Sequence, residues 1–217
     1  MTFAIILSGC GNRDGSELQE TLSLMLAIDR RGHTYQCFAP QGSYTVVSHL
    51  DGTTDDPQRD LLTESARIAR GKILPLSQYR ANDFDALALP GGMGAARNLS
   101  TYAFQGPDMQ VRPDVERAIL DTYRIHKPIL AMCIAPIVLA KVLGSQGIVI
   151  TFGQPCDAAN VAQQLGARHQ CCPPEQACVD PVHRIYTTPA YMVASRISQI
   201  FQGADSLLEA LCHDLKR

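Results

Sequence analysis

Residues 127–142 read KPILAMCIAPIVLAKV. Ile129 to Met132 form an unbroken apolar run, as a strand covered on both faces requires, and Pro136 fits only the first turn of a helix. The chain must therefore bend sharply at Cys133. A side chain at such a bend is aimed out of the sheet, the geometry of a nucleophile elbow. A free cysteine is otherwise a small buried hydrophobe, so position rather than residue type makes Cys133 a candidate nucleophile. The helix that follows offers the thiol unpaired N–H groups and the positive end of its dipole. A thiol of roughly pKa 8.5 is a few per cent ionised at neutral pH; lowering it by about two units, or about 2.7 kcal/mol, would make thiolate the main species.

Working outward, the same strand-then-helix alternation recurs. FAIIL (3–7) is a first buried strand, closed by glycines at 9, 11 and 15, and SELQETLSLMLAIDRR (16–31) a helix. In that helix Leu18, Leu22, Met25, Leu26 and Ile28 supply the apolar face, Ser16 the cap and Gly32 the stop. TYQCFAP (34–40) is the second strand, YTVVSHLDG (44–52) a small hairpin, and PQRDLLTESARIAR (57–70) a helix beginning at Pro57. DALALPGG (85–92) and PILAM (128–132) are strands with the helix RPDVERAILDTYRIH (112–126) between them. After Cys133 the pattern predicts a helix at about 135–143, the strand GIVIT (147–151) and a helix near 157–165. Short strands around 177–187 and a last helix over 191–214 complete it. This is the signature of an α/β protein, a mostly parallel sheet with helices on both faces. No linker, charge block or repeat divides the chain, so residues 1–217 are read as one domain.

Lys and Arg total 19 against 21 Asp and Glu, and the pI is near 6.3, which leaves no basic field for nucleic acid or an acidic membrane surface. No apolar stretch approaches the roughly 20 residues of a spanning helix, and MTFAIILSGCG reads as a strand rather than a signal peptide. The expected compartment is the cytoplasm, where most of the eight scattered cysteines are expected as reduced thiols. ARHQCCPPEQACVDPVHR (167–184) gathers His169, Cys171, Cys172, Cys178 and His183 but has no CxxC knuckle, and no metal site is expected.

In parallel sheets, ligands sit outside the carboxyl ends of the strands. Three stretches end there. LSGCGNRDG (7–15) has the spacing GxGxxxG and no acidic residue closing the second strand, so it reads as a tight turn and not a dinucleotide fingerprint. In LPGGMGAARNLS (89–100), Gly91 and Gly92 let the backbone approach a ligand and direct N–H groups at an oxyanion, paired with the N–H of Cys133 or Ile134. In RDGSELQE (13–20), Glu17 and Glu20 open a helix, where acidic residues commonly serve the dipole. One of the two can instead lean across the strand ends and share a proton with Cys133.

Taken together, LALPGGMGAARNLS (87–100) and KPILAMCIAP (127–136) resemble the PfpI and Parkinson-disease deglycase superfamily, which shares its fold with class I glutamine amidotransferase domains. ILSGCGNRDGSELQE (6–20), ESARIARGKILPL (64–76) and TTPAYM (187–192) are similar to its ElbB branch, the isoprenoid biosynthesis glyoxalases. The resemblance implies a flavodoxin-like three-layer sandwich, a homodimer, Cys133 as nucleophile, and Gly91 and Gly92 as oxyanion glycines. Strand-to-acid spacing, the better fit, aligns Glu17 with the family acid and makes it the expected acid/base, while counting back from Gly32 aligns Glu20. Ile134 stands where peptidase and amidotransferase members carry a histidine, which weakens both of those activities. An aldehyde needs no such base. The implied reaction takes glyoxal or a related 2-oxoaldehyde through a Cys133 hemithioacetal to a 2-hydroxy acid, with no cofactor. Two other readings stand beside it: a redox-sensing protein using Cys133, and a glutaminase-like subunit. The sequence itself shows no heptads or interface stripe that would specify a dimer.

Overall fold

The computed structural model describes residues 1–215, with the backbone alone at residues 55–57. Its strands are β1 (Thr2–Ile6), β2 (Thr34–Ala39), β3 (Ser43–Val47), β4 (Thr54–Asp60), β5 (Ile73–Pro75), β6 (Ala86–Leu89), β7 (Ile129–Met132), β8 (Val149–Gly153), β9 (Arg168–Cys171), β10 (Cys178–Asp180) and β11 (Ile185–Thr188). The helices are α1 (Leu18–Arg30), α2 (Leu61–Ile68), α3 (Met93–Arg97), α4 (Tyr102–Gln105), α5 (Pro113–Arg124), α6 (Pro136–Leu143), α7 (Asp157–Gln164) and α8 (Ile197–Asp214). Seven strands form the central sheet in the order β10-β11-β7-β6-β1-β2-β5, all parallel except β10, which runs against β11.

That order fixes the layers. β1 to β2 steps toward one edge and β6 to β7 toward the other, so right-handed crossovers put α1 and α5 on opposite faces. α8 packs on α1, and α6 packs between α5 and α7, which gives the flavodoxin-like three-layer sandwich. Phe3, Ile5, Leu87, Ala88, Ile129 and Ala131 are wholly buried between the layers, which explains why these strands are apolar throughout rather than alternating. The strand order reverses between β1 and β6, and a crevice opens at such a switch point beyond the strand ends. The loop after β1 is tied down there. Asn98, just past α3, donates from Nδ2 to the carbonyls of Ser8 (2.8 Å) and Asp14 (2.6 Å), and the Met93 N–H donates to Asn12 O at 2.7 Å.

Several expectations change in detail. Ser16 does not cap α1: its hydroxyl accepts from the Ser8 N–H at 2.9 Å, and Glu17 is the N-cap. Of the apolar face expected for α1, Met25 and Ile28 are buried, with Leu24 and Ala27 beside them, while Leu18, Leu22 and Leu26 are exposed. The helix placed at Pro57 begins at Leu61, since β4 continues the hairpin through Asp60, whose side chain then caps α2. The strand GIVIT pairs with β9 in a separate two-stranded sheet. α8 starts at Ile197 instead of 191, because residues 189–196 return to the strand ends as a loop. Among the described residues, no helix is long and apolar enough to cross a membrane. The last two residues of the expected domain, 216 and 217, lie outside the description.

Replacing Asn98 by Ala strips two carbonyls of their donor at once. Urea denaturation of Asn98→Ala is expected to show a loss of about 1–3 kcal/mol, with the far-UV spectrum unchanged.

Candidate functional site

Cys133 follows β7 directly and has φ +58°, in the left-handed region that costs a non-glycine residue free energy and persists only where the surroundings hold it. The hold is visible. The Cys133 N–H donates to Thr188 O at the end of β11 (2.9 Å), and the turn closes with Ala135 N–H on Met132 O (2.9 Å) and Ile137 N–H on Ile134 O (3.1 Å). The elbow expected from Pro136 is present, and Cys133 as a whole residue is 9 % exposed. Its own N–H is occupied by Thr188, which leaves the Ile134 N–H as the free amide at the bend.

The acid facing the thiol is Glu20. Glu17 serves as the N-cap of α1: its Oε2 accepts from the Glu20 N–H at 2.6 Å, and its own N–H donates to Gly91 O at 2.9 Å. Glu20, three residues on and nearly a full turn further, points under the strand ends with no exposed surface. Its Oε1 accepts from the Tyr191 N–H at 3.2 Å, while Oε2 is buried without a hydrogen bond of ordinary geometry and faces the Cys133 thiol and the Gly91 N–H. The alignment that favoured Glu17 is therefore corrected in position: spacing from the strand measures where the helix starts, not which of its turns is turned inward.

Gly91 and Gly92 do different work. A Cβ on Gly91 would sit 2.3 Å from both the Cys133 Cβ and Glu20 Oε2, so those two atoms are no more than twice that distance apart. Gly92 has φ +97°, and a side chain there would strike Glu17 N and Gly15 O at 2.4 Å. The Gly92 and Ile134 N–H groups are the two that bear on the Cys133 sulfur, whereas that of Gly91 goes to Glu20. Of the amides expected around an oxyanion, those of Gly92 and Ile134 face the sulfur, and Gly91 becomes the gap through which thiol and carboxyl meet.

A scan of protein-family profiles finds no match for the chain. Curated proteins do match: the human mitochondrial glutamine amidotransferase-like class 1 domain-containing protein 3 is 38% identical over 216 residues, 94% of this chain and 80% of its own length. Among solved structures, an isoprenoid biosynthesis protein with amidotransferase-like domain from Ehrlichia chaffeensis superposes with a TM-score of 0.91 at 33% identity, over 98% of this chain and 99% of that one. The chain belongs to the ElbB-type class 1 glutamine amidotransferase-like proteins. A DJ-1 superfamily protein from Agrobacterium tumefaciens, 16% identical with a TM-score of 0.58 over 98% of this chain and 90% of that one, shares the fold.

In this member of the group, no histidine meets the elbow among the described contacts. The ring of His169 stacks on Phe152, and His183 Nδ1 is paired with the Tyr123 hydroxyl at 2.7 Å. Cys172 and Cys178 are buried and Cys171 is exposed, all three as free thiols. Tyr191, which holds Glu20, was missed in the sequence; the only signal was its place in TTPAYM, just past a strand end.

The electrostatics reverse the simple dipole expectation. Burial, then the negative charge of Glu20, push the Cys133 thiol well above its ordinary range against the pull of the Gly92 and Ile134 amides. Burial, then the charge of Glu17, lift the Glu20 carboxyl to about 8. The two groups therefore retain at least one proton between them near neutral pH, and the titration belongs to the pair. The sign for stability follows. Glu20 is protonated in the folded state at pH values where the unfolded chain, with a carboxyl of ordinary pKa 4.5, has released its proton. Its contribution is complete below about 4.5 and is lost as pH rises through about 8. Thermal unfolding followed by circular dichroism between pH 5 and 8 is expected to show wild-type stability falling with pH and Glu20→Gln much flatter. Parallel slopes would refute a buried neutral Glu20.

Proposed function

We propose that the protein is a glutathione-independent glyoxalase that converts glyoxal, or a 2-oxoaldehyde of similar size, to the 2-hydroxy acid. The observation that carries this reading is the pairing of the Cys133 thiol with a buried Glu20, with Ile134 in place of a histidine. A peptide or glutamine substrate needs a base that later protonates an amine leaving group. An aldehyde has no leaving group, and one carboxyl can return the same proton it takes.

In this scheme the Cys133 sulfur adds to one carbonyl carbon of glyoxal and the proton of the pair passes to the new oxygen, giving a hemithioacetal. The Gly92 and Ile134 amides stabilise the oxyanion as it forms. Glu20 then removes the proton from the sulfur-bearing carbon and delivers it to the neighbouring carbon through an enediol. The product is a Cys133 thioester of glycolic acid; water hydrolyses it to glycolate and frees the thiol. Glyoxal plus water becomes glycolate, with no net oxidation and no external electron acceptor.

Glycolate formation from glyoxal, assayed without glutathione or added metal, tests the scheme. Cys133→Ala and Glu20→Gln are each expected to lower kcat/KM by about 10²-fold or more, while Glu17→Gln, which keeps an acceptor at the N-cap, loses less than about tenfold. Turnover that survives Cys133→Ala would sink the reading. Peroxide oxidation of the thiol without any glyoxal turnover would instead support a redox sensor.

The same proposal keeps the homodimer and the cytoplasmic location. The isoprenoid and mitochondrial descriptions belong to the relatives that bear them, and no reaction of isoprenoid synthesis is assigned to the site. Support for self-association comes from Leu18, Leu22 and Leu26, which line one outer face of α1 at 41, 51 and 47 % exposure. Sedimentation velocity is expected to give a dimer for the wild type and a monomer for Leu22→Asp; a monomeric wild type would refute the arrangement.

A further inference from the structure

Tyr191, in the loop between β11 and α8, makes two hydrogen bonds to the first turn of α1. Its N–H donates to Glu20 Oε1 at 3.2 Å, and its hydroxyl donates to the side-chain oxygen of Gln19. The residue before it, Ala190, sits at φ +42°, a conformation that a non-glycine residue holds only under outside constraint. Further along the loop, Val193 lies where a side chain on Gly153 would need to go, so the loop is seated on β8 as well. Gln19 and Glu20 are neighbours in α1. The phenol therefore clamps the loop to the very turn that carries the acid, beside the main-chain donor that fixes the acid's rotation.

We infer that Tyr191 is a positioning residue: its hydroxyl, latched to Gln19, keeps the strained 189–192 loop closed so that its N–H holds Glu20 Oε1 and turns Oε2 toward Cys133. This rests on Cys133 and Glu20 acting as a pair, the core of the function proposed above, and does not depend on the identity of the carbonyl. With the latch intact, the carboxyl presents one defined oxygen to the sulfur. With it broken, the strain at Ala190 is free to relax, the N–H withdraws, and the carboxyl loses a donor that favours its ionised form. The groups that face Glu20 are Cys133 from the elbow, Glu17 from the same helix and the Tyr191 phenol from the loop, with the main-chain amides of Gly91 and Tyr191. Of these, the latch controls the Tyr191 amide.

The test is the pH dependence of Cys133 alkylation by iodoacetamide, followed by mass spectrometry on the intact chain, with glycolate formation measured in parallel. Tyr191→Phe, Gln19→Leu and the double variant are each expected to move the alkylation midpoint downward by about half a unit or more, because a carboxyl that stays neutral to higher pH no longer repels the thiolate. The double variant should match the singles, because both changes remove one interaction. Turnover should fall in kcat with little change in KM. Midpoints equal to wild type in both single variants, or shifts that add in the double, would overturn the inference. A shifted midpoint in a protein that makes no glycolate would leave the latch standing and remove only the glyoxalase reading. Tyr191→Phe preserves the ring and its packing, so the measurement does not depend on the bulkier change at Gln19.

Discussion

The absence of a side chain at Gly91 is the constraint from which the site is built. Three segments from distant parts of the chain converge on the volume a Cβ would fill: the end of β6, the first turn of α1 carrying Glu20, and the elbow at Cys133. Protein interiors have no slack to absorb an added methyl group at backbone distances. The same backbone step ties α1 down, because the Gly91 carbonyl accepts the Glu17 N–H that starts the helix. Close approach, helix start and the meeting of thiol and acid are thus one packing solution.

That packing sets the charge state. A thiol and a carboxyl enclosed together cannot both ionise without large cost, so the proton is retained and shared instead of being lost to water. The amides of Gly92 and Ile134 offset part of the burial penalty on sulfur, and those of Gly91 and Tyr191 do the same for the carboxyl. Each group therefore has its own pair of donors, and the end of β6 contributes one to each, Gly92 to the sulfur and Gly91 to the carboxyl. The proposed chemistry draws on this: a proton that belongs to neither group alone is available to a carbonyl oxygen at the moment the sulfur adds.

Much of this was legible in the sequence where a local rule decides it. Apolar runs ending in Gly91-Gly92 and in Cys133 followed by Pro136 fix two strand ends and a bend, because glycine permits and proline forbids specific backbone states. What failed depended on rotation or partnership. Leu18, Leu22 and Leu26 have the same spacing as a buried stripe, and only the packing of α1 on α8 shows that the neighbouring face is the one buried. Glu17 and Glu20 differ by less than a turn, so the choice between cap and acid hinged on where the helix begins, and Ser16 was engaged elsewhere by Ser8. β5 is three residues long, too short for any periodicity to register, and GIVIT is as apolar as a central strand although its partner is β9.

The central sheet ends on β5 at one side and β10 at the other, each three residues long, and β5 finishes in Pro75. A strand that short exposes few unpaired backbone groups, and a proline at its end has no N–H to donate. The sheet is thus a poor template for strand addition by another chain. Growth of the sheet into a continuous ribbon, the usual hazard of an open parallel sheet during folding at high concentration, is blunted at both rims.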